Sequence, residues 1–297
     1  MIDLPGFTTR PLSLADAAAV VDVVAAEELR STGEVAIEVA DVVADWQRPS
    51  FDVASGTLGV LDGDRLVAFA EYSGEDRSDA AVHPDHHGRG IGTALAGWIR
   101  DRARAAGART VGMPVFAGSP GDRLLGSLGY RVRWTSWVLA LPAGREIVPQ
   151  PVPAGYTVRE ATPADHRAVW TTVEDAFLEW SDRARSSYED FAARVMDRPG
   201  FEPWNLRVAV APDRQVVGAA FVVRAGDVGY VDKLAVRADQ RGRGLARALL
   251  VDAFSHSRAH GAGRAELSTD SRTGALALYE KVGMEVTQVW LNRAVDL

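Results

Sequence analysis

The sequence predicts an α/β chain built twice, as two tandem domains that are each a mixed sheet with flanking helices. Three observations predict it. A short apolar strand, a glycine-rich turn and a long helix follow one another at residues 82–95 and again at 234–250, with Gly88 and Gly90 lying 154 positions before Gly242 and Gly244. The same offset pairs Gly107 with Gly261 and Gly129 with Gly283 downstream, and an offset of 149 pairs Gly6-Phe7-Thr8 with Gly155-Tyr156-Thr157 upstream. Between these landmarks, runs with strand and helix periodicity alternate in the same order in both halves, the arrangement expected of helices packed on a sheet.

The expected elements follow in order. Residues 7–11 read as a first strand, and Ser13 caps a helix running to about residue 30, with Asp16 in its first turn. The second copy repeats the device with Thr162 as cap, Pro163 at the first helical position and Asp165 three residues after the cap. A second helix is expected over 35–47, ended by Pro49, and its counterpart over 187–196, ended by Pro199. Apolar runs at 57–61 and 66–72 flank Asp62-Gly63-Asp64 as a hairpin, matched by 206–210 and 216–223 around Pro212-Asp213. After the glycine turns come long helices to about 106 and 260, strands at 110–115 and 264–269, a short helix, and a last strand per copy at 130–141 and 284–295. Residues 142–153 hold four prolines and no apolar period, which reads as a semi-rigid linker. The expected domains are 1–143 and 154–297, joined by a linker at 144–153; each is long enough to bury its own core.

Composition excludes several classes of function. Of 297 residues 47% are hydrophobic and 25% charged, an ordinary globular balance, and no apolar run is long enough to span a membrane. Met1-Ile2-Asp3 opens no signal-peptide pattern, so a cytoplasmic protein with no membrane partner is expected. The chain has no cysteine, which removes disulfides, thiolate metal sites and a cysteine nucleophile together. Six histidines include His86-His87 but no ligand spacing, so no metal is expected. A net charge of −7 argues against nucleic acid as partner and leans toward cationic or neutral substrates.

The repeated turn is the chemical clue. A helix N-terminus leaves backbone N–H groups without intrahelical partners and carries the positive end of the helix dipole. Gly242 and Gly244 let the backbone approach a ligand closely, while Arg241 and Arg243 offer charge, so a phosphate or pyrophosphate is the natural guest. A triphosphatase loop would need GxxxxGK[ST], which is absent. A dinucleotide fold would need its glycines immediately after the strand, whereas here several polar residues intervene.

Arg241-Gly242-Arg243-Gly244-Leu245-Ala246 resembles the Arg/Gln-x-x-Gly-x-Gly/Ala signature of the Gcn5-related N-acetyltransferase (GNAT) superfamily. His87-Gly88-Arg89-Gly90-Ile91-Gly92 is similar except that His87 stands where Arg or Gln is usual. Residues 275–284, Ala-Leu-Ala-Leu-Tyr-Glu-Lys-Val-Gly-Met, resemble the same superfamily's Ala-x-x-Leu-Tyr-x-x-x-Gly-Phe segment. The resemblance covers both copies nearly end to end, and the tandem layout looks like the mycothiol synthase-like branch. It implies that both loops hold the pyrophosphate of acetyl-CoA, that the backbone of Leu234, Ala235 and Val236 pairs with the pantetheine arm, and that Val82 does so in the first copy.

The resemblance also implies that Tyr279 protonates the departing thiolate. A phenol pKa near 10 keeps the hydroxyl protonated at neutral pH and close enough to a thiol's pKa to serve as a donor, though a core tyrosine on a short helix fits the same residue. Asp232 is the candidate base, directly or through a water; an aspartate paired with Lys233 is the alternative, with Glu266, Ser268 and Asp270 in reserve. Arg272 replaces the superfamily's usual Asn, so no side-chain contact to the cofactor is assumed there. The first copy has Leu125 at the place of Tyr279 and Ser78 at that of Asp232, so the second copy is expected to be catalytic and the first to be a cofactor-binding relic or a wall of the substrate cleft. The expected function is acetyl-CoA-dependent N-acetylation of a primary amine on a small molecule by direct transfer. A non-catalytic acyl-CoA-binding or sensing protein is the alternative.

Overall fold

In the computed structural model, residues 2, 4–142, 144–145 and 149–297 are described. Residues 146–148 of the expected linker lie outside the described residues, as does residue 143 at its edge. The chain forms two compact units, 1–136 with 288–297, and 137–287.

The first unit opens with β1 (Thr8–Arg10), α1 (Ala17–Ser31), α2 (Val39–Trp46) and a single turn α3 (Val53–Gly56). It continues with β2 (Thr57–Asp62), β3 (Arg65–Gly74), β4 (Arg77–Val82), α4 (Ile91–Ala105), β5 (Thr110–Phe116) and α5 (Pro120–Ser127), and β6 (Arg131–Leu141) leaves it. The second unit holds β7 (Thr157–Glu160), α6 (His166–Leu178), α7 (Tyr188–Arg194), β8 (Leu206–Val210), β9 (Val216–Ala225), β10 (Val228–Val236), α8 (Leu245–Ala259), β11 (Arg264–Asp270) and α9 (Leu276–Lys281). The last strand, β12 (Glu285–Asp296), leaves it.

The strand order is β1-β2-β3-β4-β5-β12 in the first unit and β6-β11-β10-β9-β8-β7 in the second, with parallel and antiparallel neighbours in each, so the copies exchange their last strands. Sequence order places 131–141 with the first copy and 285–296 with the second; the compact units instead take β12 from Gln288 into the first and β6 from Trp137 into the second. β12 pairs antiparallel with β5, from Trp290↔Phe116 to Asp296↔Thr110. Its Arg293 donates to Asp122 Oδ1 at 2.5 Å and to the Tyr130 carbonyl at 2.9 Å. Leu139 and Leu141 of β6 are buried in the second unit's core with Leu249, Leu267 and Tyr279.

The duplication extends to side-chain detail at the helix starts. The Ser13 amide donates to Asp16 at 2.8 Å, and Arg10 grips the same carboxylate through two nitrogens. Thr162, Asp165 and Arg159 repeat this. The hydrogen bond from Arg10 is the main cause that brings the Asp16 pKa down to about 2, and Arg159 lowers that of Asp165 in the same way. The second helix starts later than the expected residue 35, because the Glu38 amide donates to Asp41 at 2.9 Å and fixes the cap there. Among the described residues no helix is long and apolar enough to cross a membrane.

Candidate functional site

In the second unit β10 and β11 run parallel and pair only from Val228↔Arg264 to Val231↔Leu267. Beyond that point the strands part, leaving main-chain groups of Leu234, Ala235 and Val236 on that edge without a ladder partner. A bulge against β9 falls at the same place, since Val231 pairs Val222 and Lys233 pairs Phe221, so Asp232 is the extra residue. The opened edge leads directly into the glycine turn. Gly242 (φ 75°) and Gly244 (φ 86°) adopt left-handed backbone, and a Cβ built on either would meet no atom within 4 Å. The space above the turn is therefore open to a guest, and Gly244, the N-cap of α8, has no side chain to cap the first amides of the helix, which suit an external acceptor or solvent.

The expected loop residues occupy this turn, but Arg241 does not aim its charge outward. Its Nε donates to the Val236 carbonyl at 3.0 Å, and its two terminal nitrogens bind Glu179 at 2.6 and 2.7 Å. Arg241 thus braces the turn against the end of α6. Arg243 is exposed, and Leu245 and Ala246 anchor the helix start, Leu245 being 1% exposed in the core.

Tyr279 lies on α9 in the cluster formed by Leu245, Leu249 and Leu267. Burial pushes its pKa up to about 12, so the phenol stays protonated and gives its proton only to a strongly basic partner. Asp232 carries two opposed influences: burial raises its pKa, and Lys233, at 2.7 Å, outweighs it together with Arg194 and Arg198, leaving the carboxyl below its ordinary value. An aspartate held so low is a weak proton acceptor and a good anchor for a cation or an ordered water. Of the reserves, Asp270 is tied to Arg272 by three hydrogen bonds, which leaves it shaping the loop before α9.

The first unit builds the same turn. β4 pairs with β5 only at Arg77↔Gly112 and then leaves it; Ser78, at the place of Asp232, donates to the Gly112 carbonyl at 2.9 Å. Gly88 (φ 75°) and Gly90 (φ 81°) again have open space where a side chain would stand. His87 Nε2 lies 2.9 Å from the Val82 carbonyl and 3.3 Å from Glu27 of α1. These are the counterparts of the two Arg241 contacts, so His87 supplies the same brace and the departure from the signature leaves the turn intact. Arg89 packs over Phe7, 4.3 Å from the ring centre. A cavity of about 470 Å³ opens along the turn, lined by Ala80, Ala81 and Val82 of β4, Ile91, Leu95 and Ala96 of α4, Met113 and Val115 of β5, and Leu124 and Leu125 of α5.

Sequence reasoning missed two carboxyl groups in the first unit. Glu71 and Asp79 face each other across β3 and β4, and Trp46 donates its indole N–H to Glu71 at 2.7 Å. Burial, which outweighs the Trp46 hydrogen bond, pushes Glu71 up to about 7; burial also raises Asp79 to about 6, with Glu28 and Asp45 adding repulsion. The available signal was an acid inside the otherwise apolar run 66–72. The ordinary value for Glu71 is 4.5, so the stability tied to its protonated form is complete below that pH and is lost as pH rises toward 7. Glu71→Gln keeps the acceptor for Trp46 and is expected to make the fall in stability between pH 5 and 7 less steep. Denaturant unfolding at a series of pH values reads this directly, and an identical slope in parent and variant would exclude Glu71 as its source.

The comparisons with known proteins agree with this geometry. The model of the Acetyltransferase (GNAT) family matches residues 23–135 and again 167–284. A mycothiol acetyltransferase of Salinispora arenicola is 32% identical over 245 residues, covering 76% of each chain. The crystal structure of a GCN5-related N-acetyltransferase from Sphaerobacter thermophilus superposes with a TM-score of 0.76 at 29% identity, over 99% of this chain and 97% of that one. A tandem GNAT protein from the clavulanic acid biosynthesis pathway shares the fold at 20% identity, with a TM-score of 0.74 and 98% of each chain covered. Two family matches, one on each copy of the braced glycine turn, establish that the chain belongs to the Acetyltransferase (GNAT) family, as a tandem acyltransferase.

Proposed function

We propose that the second unit transfers an acetyl group from acetyl-CoA to a primary amine of a small molecule, and that the first unit binds a CoA thioester without that chemistry. The observation that carries this is the parting of β10 from β11 directly before a glycine turn with open space above it. A pantetheine arm adds to such an edge through main-chain hydrogen bonds, and its pyrophosphate falls at the amides of α8. Acetyl-CoA supplies an activated acyl group; the thioester C–S bond breaks as the amide N–C bond forms. Tyr279 donates its proton to the sulfur. Asp232, kept ionised beside Lys233, holds the incoming ammonium or the water that takes its proton. Relatives named mycothiol acetyltransferase support a small acceptor, and a carboxylate at the strand bulge suits a cationic one.

Release of free thiol in the presence of a panel of small amines tests the transfer, and no release with any amine would favour the sensing alternative. Calorimetric titration with acetyl-CoA tests the two turns. The parent is expected to show two sites, Gly90→Val one and Gly244→Val one, with turnover abolished only in Gly244→Val. Loss of the contacts at a turn should weaken binding there by a few kcal/mol, about tenfold for each 1.4 kcal/mol. A single site in the parent, untouched by Gly90→Val, would show that the first unit binds no CoA ester.

A further inference from the structure

The cavity of the first unit differs from the matching positions of the second at three places along its walls. At equivalent positions the first copy has Ala80 where the second has Leu234, Ala96 where it has Leu250, and Leu125 where it has Tyr279. Each change removes side-chain volume or a polar group. In the second unit Leu234, Leu250 and Tyr279 meet in one hydrophobic cluster with Leu245 and Leu249. In the first, Ala80, Ala96 and Leu125 line open space instead, together with Met113 and Val115.

The polarity of this cavity is divided. Its polar and main-chain groups gather at the turn, where His86, His87, Gly88, Gly90 and Glu27 line it. Around Leu95, Ala96, Met113, Leu124 and Leu125 the walls are hydrocarbon, and Leu95 is 0% exposed and Leu125 3% exposed despite lining it. With Leu125 in place of Tyr279 no phenol stands there to meet a thiolate. A two-carbon acyl group leaves such walls unfilled, whereas each further methylene removed from water adds to affinity.

We propose that the first unit's cavity binds an acyl-CoA whose acyl chain is longer than acetyl, a medium-length apolar chain of roughly four to eight carbons. The claim rests on the reading above that its glycine turn takes the pyrophosphate. The widening at Ala80 and Ala96 makes room for the chain, and Leu125 removes the phenol that the second copy has at that position. The two halves thereby become sites of different acyl preference.

The experiment titrates Gly244→Val protein, in which the first-unit site is read alone, with CoA, acetyl-CoA, butyryl-CoA and octanoyl-CoA. Octanoyl-CoA is expected to bind at least about tenfold more tightly than acetyl-CoA. Adding Ala96→Leu, which restores the bulk of the second copy, should cut this preference to within about twofold, and Leu125→Tyr serves the same purpose if the first variant fails to fold by circular dichroism. The preference must vanish when Gly90→Val is added. Equal affinity for acetyl-CoA and octanoyl-CoA, with CoA itself still bound, overturns the proposal and leaves the turn reading standing. If no CoA ester binds to Gly244→Val protein, the turn reading for the first unit fails and the proposal falls with it.

Discussion

Tyr279→Phe is expected to lower turnover by roughly 10²- to 10⁴-fold, the range lost with a positioned acid, while acetyl-CoA affinity stays within about twofold. The structure separates the two effects. The ring of Tyr279 packs with Leu245, Leu249 and Leu267, and phenylalanine preserves that packing, so fold and groove survive. What disappears is one proton held on a phenol whose pKa burial has pushed up to about 12. Such a group stays protonated at neutral pH, so in the proposed mechanism its hydroxyl is present to meet the sulfur as charge builds on it. Thiol release and calorimetry measured on one preparation distinguish this from a packing role: equal turnover in parent and variant removes Tyr279 from the mechanism, and parallel loss of binding and turnover makes it structural.

The second large effect is expected at a residue far along the chain from the unit it supports. Arg293 on β12 donates from Nε to Asp122 and from Nη1 to the Tyr130 carbonyl. The Asp122 side chain is only 12% exposed. Burial alone would raise its pKa, but the Gly118 amide and Arg293 outweigh it and hold the carboxyl below its usual value. Arg293→Ala leaves this carboxylate enclosed without its cation, at a cost of about 3 kcal/mol. Because the stability tied to a lowered carboxyl pKa is present above the unfolded value and is lost as pH falls through the folded one, the destabilisation by Arg293→Ala should be largest near neutral pH and shrink on acidification. Hydrogen exchange locates the damage: protection should fall across residues 110–127 and persist across 264–281. An equal loss in both segments would show that Arg293 does not act through the first unit.

Much of the fold was legible because it is local. The glycine offsets announce the duplication, Ser13 with Asp16 and Thr162 with Asp165 announce helix starts, and the strand-turn-helix at 234–250 places the glycine turn. Other features depend on which distant groups meet. The alternation within 131–141 and 285–296 tells which side chains share a face and says nothing of which neighbour the strand will choose, so the exchange of β6 and β12 was not readable. Arg241 was expected to offer its charge to a ligand; its engagement with Glu179, 62 positions away, needed the end of α6 in place. Glu71 becomes an unusual acid only when α2 packs Trp46 against it. His87 stood out only as a departure from the signature, and it takes the geometry to show it making the contacts of Arg241.

The exchanged strands also set an order of events during synthesis. Until β12 has been made, the outer edge of β5 has no antiparallel neighbour, and unpaired edges of this kind recruit strands from other chains. The ribosome must add the whole of 137–287 before Gln288 appears, and at roughly 5–20 residues per second that interval lasts about 8–30 s. The second unit has no such wait, since β6 precedes every other strand of its sheet. The half of the protein that is translated first is therefore the half that is completed last.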